Sequence, residues 1–416
     1  MTSRIAIDGK RLLQRLDDFA RIGATPAGGV NRQALSPEDR ASRRLLADLA
    51  LQRGFRVFQD SMANLFIRRE GRLPARAPLV IGSHLDSQPT GGRFDGALGT
   101  LAAFEVMESI ADAGIETDLS LEVVAWTNEE GSRFAPGAMG SMAFAAGAIP
   151  DAWSDLRGRD GSLFVDELSA TLQALPEAEM RPLGFPICGY LELHIEQGPS
   201  LERENIPIGI VHGIQGTRWL EVTIKGQAAH AGTTALEFRR DPMAAAVAAL
   251  EPLYKSAMPS DQYARFTVGR IAVEPGAVNA IPGSVTFSID LRHPETAVID
   301  ALEDRVRLSC DSAAAAAGCE SELRQIFDMP PAAFSEDLLA CLDRAAASLG
   351  LKAKHMLSGA FHDALFVNRV APAAMIFVPC RDGLSHNEAE YVEPEHSIAG
   401  ARMLLAATME AIAVRA

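Results

Sequence analysis

Leu79-Val80-Ile81-Gly82-Ser83-His84-Leu85-Asp86-Ser87, followed by Gly91-Gly92-Arg93-Phe94-Asp95-Gly96, is the stretch on which the reading of this 416-residue chain turns. Its short apolar start predicts a buried strand over Leu79 to Ser83. His84 and Asp86 stand where that strand ends, two residues apart, so their side chains point to the same side. Asp95 follows in a glycine-rich loop whose backbone can bend back towards His84. An imidazole and two carboxylates at the carboxyl end of a strand suggest a metal site and direct the search for its other ligands.

The pattern around this stretch is α/β. Helices are predicted over Asp8–Ile22, Pro37–Gly54 with Ser36 as N-cap, and Gly96–Ala113. Strands are predicted over Arg56–Gln59, Asn64–Arg68, Leu119–Thr127 and Leu191–Ile195, and Asp151–Gly184 reads as an excursion of short helices. Strands alternating with helices imply a sheet with helices on both faces. After Gly213 the character changes. Arg218–Gly226 alternates as a strand with one wet face, and Asp241-Pro242 opens a helix running to Ala257. Strands over Phe266–Val273 and Ser284–Leu291, a helix over Glu295–Ala316 and a strand over Glu320–Phe327 complete a β-α-β-β-α-β, ferredoxin-like order. A helix over Glu336–Leu349, a strand over Pro372–Val378 and a helix over Glu395–Val414 resume the first pattern. The expected organisation is one α/β domain from residues 1–214 and 329–416, interrupted by an α+β domain over 215–328; the length itself favours two domains.

Composition narrows the function. With 48% hydrophobic and 22% charged residues the chain is globular in type. Its formal charge of -15 argues against nucleic acid or an anionic membrane as partner, and leaves room for a local basic pocket. Cys188, Cys310, Cys319, Cys341 and Cys380 form no CxxC pair, which reads as a reduced, cytoplasmic protein without a disulfide framework. The first residues lack the apolar core of a signal peptide. No unbroken apolar run reaches 18 residues, so no membrane span is expected.

Further polar residues fall at other strand ends. Val123-Val124-Ala125-Trp126-Thr127 leads into Asn128-Glu129-Glu130-Gly131, where one glutamate can ligate a metal while its neighbour faces water as general base. Either glutamate alone is more often a solvated loop residue. His194 ends the strand in Leu193-His194-Ile195-Glu196-Gln197-Gly198, and His386 follows the last predicted strand in Ser385-His386-Asn387. A lone histidine is usually a core or surface residue. The set carries the inference, because open α/β sheets place ligands beyond the carboxyl ends of their strands. His84, Asp95, Glu130, His194 and His386 exceed the three protein ligands of one catalytic zinc. They suit two divalent ions roughly 3.5–4 Å apart, with Asp95 as bridge and Asp86 as the acceptor that fixes the His84 tautomer. Imidazole and carboxylate together admit Zn, Mn, Co or Ni.

In His84-Leu85-Asp86, Asp95, Asn128-Glu129-Glu130, His194-Ile195-Glu196-Gln197-Gly198 and Ser385-His386 the chain resembles the M20-type metallohydrolases. Within them it is similar to the hydantoinase/carbamoylase amidase branch, with His194 and Gly232-Thr233-Thr234 after His230 as markers. The resemblance covers nearly the whole chain. It implies a binuclear-metal, aminopeptidase-like catalytic domain and an inserted lid that also forms a homodimer. It further implies Glu129 as general base and Glu130 and His194 as ligands. His230 would reach a site from the lid, in the partner subunit, and hold the oxyanion. Asn279 and Arg292, aided by Gln197, would grip a substrate carboxylate, and Gly359 and His362 would line the pocket. Many relatives are expected to carry glycine where Phe361 stands here. The implied substrate is a small anionic N-carbamoyl-L-amino acid or its β-amino analogue, with allantoate the runner-up. An M20 peptidase or deacylase fits less well, since a carboxylate is expected there in place of His194. A non-catalytic binding protein would have lost a ligand or the base.

Overall fold

A computed structural model describes residues 5–258 and 261–415. The chain divides into two compact units. One holds the residues through His212 together with those from Phe334 onward, and the other is Gly213–Ala333.

The first unit is built on a mixed sheet. Four parallel strands form its centre, in the order Ala373–Val378, Gly189–Ile195, Leu79–His84, Leu121–Trp126. All four are buried along their whole length, as parallel strands covered on both faces must be. Antiparallel strands flank them: Leu65–Arg69 and Arg56–Gln59 on one side, Ile208–Ile214 on the other. Ala353–Ser358 pairs with Ile208–Ile214. Neither of these last two was expected. Pro207, Gly209 and Gly213 punctuate the one, and the other is a half-exposed edge without clean alternation.

The helix Ala97–Asp112 starts directly after Asp95 and is buried from Ala97 to Ile110. Its Glu105 and Glu108 are taken out of water and answered by the first helix, Gly9–Ala20. Arg11 donates through Nε to Glu105 at 2.6 Å and Arg15 through an η nitrogen to Glu108 at 2.8 Å. The helix Pro394–Arg415 is long and apolar enough to cross a membrane, with mean hydropathy 1.4 in its most apolar window. The sequence reading counted unbroken apolar runs, which Arg402 and Glu410 interrupt in this helix, and 61% of the window is buried. Here its apolar side chains are spent on the core, with Met403 and Leu404 fully covered.

In the second unit four antiparallel strands run in the order Arg265–Glu274, Ser284–His293, Gly216–Lys225, Glu320–Met329. Helices Pro242–Ser256 and Thr296–Ala316 pack against this sheet. Val285, Phe287, Ile289 and Leu291 alternate into the core between sheet and helices. The Asp241 carboxylate caps the first of these helices by accepting from the amides of Met243 and Ala244. A separate two-stranded ribbon pairs Ala229–His230 with Ala280–Ile281.

Removing Glu105 would strand the buried Ser109 hydroxyl and the part-buried donors of Arg11 and the Asp8 amide that converge on it. Glu105→Ala is expected to cost about 3–5 kcal/mol, read as a lowered melting temperature. Arg21→Ala, which removes an exposed ion pair, should stay within about 0.5 kcal/mol of the parent.

Candidate metal centre

The parallel register sets the site. His84 is paired with Trp126 and His194 with Phe377, so four parallel strands deliver their carboxyl ends to one side of the sheet. Glu129 and Glu130 follow Trp126 through a turn in which Asn128 takes φ +57°. Gln197 and His386 also hold left-handed backbone, at +56° and +54°. Non-glycine residues in this region store strain and concentrate at functional sites.

Each histidine end is fixed by backbone. His84 Nδ1 lies 3.0 Å from the Asp86 carbonyl and His194 Nδ1 3.0 Å from the Ile195 carbonyl. A carbonyl only accepts, so in the neutral rings Nδ1 carries the proton and Nε2 keeps its lone pair. The two Nε2 atoms face Asp95 Oδ1 at 3.7 Å and 3.0 Å. On the other side, His386 Nε2 lies 3.6 Å from Asp95 Oδ2 and 3.3 Å from Glu130 Oε2. Asp95 thus belongs to two clusters able to hold a cation, one with His84 and His194 and one with Glu130 and His386. The sides of the site differ in access: His84, Asp95 and His194 are buried, while the His386 side chain is half exposed.

These residues fit divalent ions. His84 Nε2 is buried and makes no hydrogen bond. Among the described residues no lysine or arginine forms an ion pair with Asp95, Glu129 or Glu130. Burial, reinforced by neighbouring carboxylates, holds Glu129 and Glu130 well above the usual carboxylate range. Burial pushes His84 down to about 4, partly opposed by Asp95. At His194 burial acts the same way, but the Asp95 charge and hydrogen bond outweigh it and raise the ring to about 9. The cluster demands positive charge at its centre. Glu129 Oε2 lies 3.6 Å from His84 Nε2, beside the cluster that His84 forms with Asp95 and His194.

The other sequence-predicted residues lie in varied surroundings. The Asp86 carboxylate is 3.8 Å from His84 Nδ1 and does not fix that ring; the Asp86 carbonyl does. The carboxylate instead accepts from the amides of Glu129 and Glu130, both at 3.2 Å. Gln197 turns its amide to Asp95 Oδ2 at 3.0 Å and to Ser385 Oγ at 3.0 Å, so its donor serves the cluster. His362 is buried with its ring centre 4.5 Å from that of His194, and Gly359 lies exposed just before it. In the second unit the ribbon brings His230 beside Asn279, whose carbonyl accepts from the Ala231 amide. His230 Nδ1 accepts from the amides of Gly232 and Thr233 at 3.1 and 3.2 Å, which leaves Nε2 to carry the proton. Arg292 closes its fork on Asp290, two residues earlier on the same strand face, through Nε at 3.0 Å and an η nitrogen at 2.8 Å.

A model of the peptidase family M20/M25/M40 matches residues 80–410. The chain belongs to this family. An N-carbamoyl-L-amino-acid amidohydrolase of Rhizobium meliloti is 37% identical over 97% of the chain and 96% of that protein. A ureidoglycolate hydrolase of Oryza sativa subsp. japonica is 32% identical over 97% of the chain and 84% of that protein. The crystal structure of an amidase of the hydantoinase/carbamoylase family from Burkholderia multivorans is 43% identical, covers 98% of each chain and superposes with a TM-score of 0.91.

The M20 site also uses residues that no motif marked. Gln88 donates to Glu130 Oε2 at 2.7 Å, and Glu390 accepts from the amides of Phe94 and Asp95. Neither sits at a strand end or in a recognisable spacing, so the sequence held no signal for them. Asp86→Ala leaves the His84 carbonyl contact available but releases the Glu129-Glu130 turn. It is expected to weaken divalent-metal binding about 10–100-fold, measured by equilibrium dialysis with Mn or Zn.

Proposed function

We propose that this M20 enzyme hydrolyses N-carbamoyl-L-amino acids, or their β-amino analogues, to the amino acid, ammonia and carbon dioxide. The reading rests most on one observation: a single buried carboxylate, Asp95, faces two ligand clusters with Glu129 beside them. Full-length relatives named as carbamoyl-amino-acid hydrolases supply the substrate class.

His84, His194 and Asp95 would hold one divalent ion, and Glu130, His386 and Asp95 a second. Zn, Mn, Co or Ni would each suit this oxygen and nitrogen set. Such ions supply Lewis acidity towards a carbonyl and acidify water. The chain does the rest. Glu129, whose affinity for a proton is raised by burial, takes the proton of the attacking water. The water oxygen bonds to the ureido carbon, the bond from that carbon to the amino-acid nitrogen breaks, and Glu129 passes its proton to that nitrogen. The carbamate left behind divides into ammonia and carbon dioxide. His230 is supported as oxyanion donor by its tautomer, an Nε2–H held outward by two backbone amides at Nδ1. Asn279 and Arg292 would bind the substrate carboxylate, which takes the place of Asp290 on the guanidinium fork. Gln197 acts through Asp95, and His362 with Gly359 lines the pocket beside His194. Phe361 stands next to them, its ring near Gly137 of the Glu129 loop, where it would limit the substrate's side group.

A homodimer through the second unit, with His230 serving the partner's site, is part of this reading. It is supported by the strand Arg265–Glu274, which pairs on one side only among the described residues and exposes Ile271. Five free cysteines fit a reducing cytoplasm. The second reading is hydrolysis of ureidoglycolate, favoured by the rice relative; that substrate carries the same carbamoylamino carbon bearing a carboxylate.

Ammonia release by metal-loaded enzyme from N-carbamoyl-L-amino acids, N-carbamoyl-β-alanine, allantoate and ureidoglycolate separates these readings. The highest kcat/KM is expected on an N-carbamoyl-L-amino acid, and a preference for ureidoglycolate or allantoate would overturn the assignment. Glu129→Gln should lose about 10²–10⁴-fold in kcat while binding metal like the parent. Full turnover in that variant would remove Glu129 as base.

A further inference from the structure

Asp95 can address two clusters only if its backbone is held still, yet it sits in a glycine-rich loop. The loop Ser385–Glu390 holds it from both ends. At the side-chain end, Ser385 Oγ donates to Asp95 Oδ2 at 2.7 Å and His386 faces the same oxygen. At the backbone end, Glu390 Oε1 accepts from the amides of Phe94 and Asp95, at 2.9 and 3.0 Å. Glu390 is 2% exposed, and its Oε2 is buried without a partner. Its carboxylate fills the space beside Gly92, where a Cβ would come within 2.0 Å of it. A buried acid with no lysine or arginine in ion pairing among the described residues is costly, and this one is spent on the two amides at Asp95.

We propose that Glu390 is a positioning residue for the metal centre, fixing the Asp95 backbone so that both carboxylate oxygens stay aimed at their two clusters. Gly92 is glycine because Glu390 occupies the place of its side chain. The inference rests on the reading of Asp95 as the shared ligand. It requires an acceptor oxygen at residue 390 and no negative charge there, so glutamine should serve.

The test is Co²⁺ affinity of metal-stripped protein, by equilibrium dialysis and by the visible absorption of bound cobalt, with circular dichroism of each stripped variant as the folding control. Glu390→Ala is expected to weaken cobalt binding at least about tenfold and alter its absorption. Glu390→Gln should stay within about threefold of the parent. Gly92→Ala, which pushes the carboxylate away, should reproduce the alanine loss, and it keeps the test open should Glu390→Ala not fold. Parental affinity in Glu390→Ala or Gly92→Ala, or an equal loss in Glu390→Gln, would overturn the proposal. Asp95→Ala separates the two levels: if it binds cobalt like the parent, the reading of the metal centre fails; if it alone loses cobalt, only the role of Glu390 fails.

Discussion

The structure depends on a buried carboxylate that histidines answer and, among the described residues, no lysine or arginine does. Asp95 is 5% exposed, and three imidazoles, a hydroxyl and an amide surround its carboxylate where an arginine would ordinarily stand. Glu129 and Glu130 are buried in the same region. Taking three carboxylates out of water costs far more than hydrogen bonds return. A bound cation would offset that cost, and the two clusters that share Asp95 are where the ligand atoms converge.

That constraint explains why the core beneath is so regular. Four fully buried parallel strands end together, and the helix that starts after Asp95 packs directly on them. A rigid frame lets short loops present ligand atoms of His84, Glu130 and His194 within 4.8 Å of one carboxylate, that of Asp95. The strain in the Asn128, Gln197 and His386 backbones is carried by this frame. The paired charges of Arg11 and Arg15 with Glu105 and Glu108 brace the outer side of the same helix, away from the chemistry.

What the sequence disclosed follows from the same physics. His84, Asp95, Glu130, His194 and His386 were legible because strand ends are legible, and ligand chemistry selects few residue types. The buried strands and the alternation of the second unit were legible for the same reason of periodicity. Hydrogen-bond partners were not. Whether Asp86 meets His84 through its carboxylate or its carbonyl depends on the path of a loop, as does the turn of Gln197 towards Asp95. Glu390 reads as one more acid in Asn387-Glu388-Ala389-Glu390, and only its burial sets it apart. The strands Ile208–Ile214 and Ala353–Ser358 escaped because proline, glycine and partial exposure mask their period.

Under the proposed reading, each unit offers groups of one polarity. The first gathers acceptors: three carboxylates and two imidazole lone pairs. The second offers donors, namely the outward Nε2–H of His230 and the guanidinium of Arg292. An N-carbamoyl amino acid has the reverse polarity at each end, with a carbonyl to be attacked and a carboxylate to be held. Arg292 already carries a carboxylate, that of Asp290, in the bidentate geometry a substrate would use. On that reading, exchange of one carboxylate for another would keep the guanidinium neutralised before and after binding. The free energy of the substrate's carboxylate is then the difference between two similar pairs rather than the whole of one. Under the same proposed reading, discrimination would then fall to the groups near the ureido carbon, with Phe361 bordering the Glu129 loop.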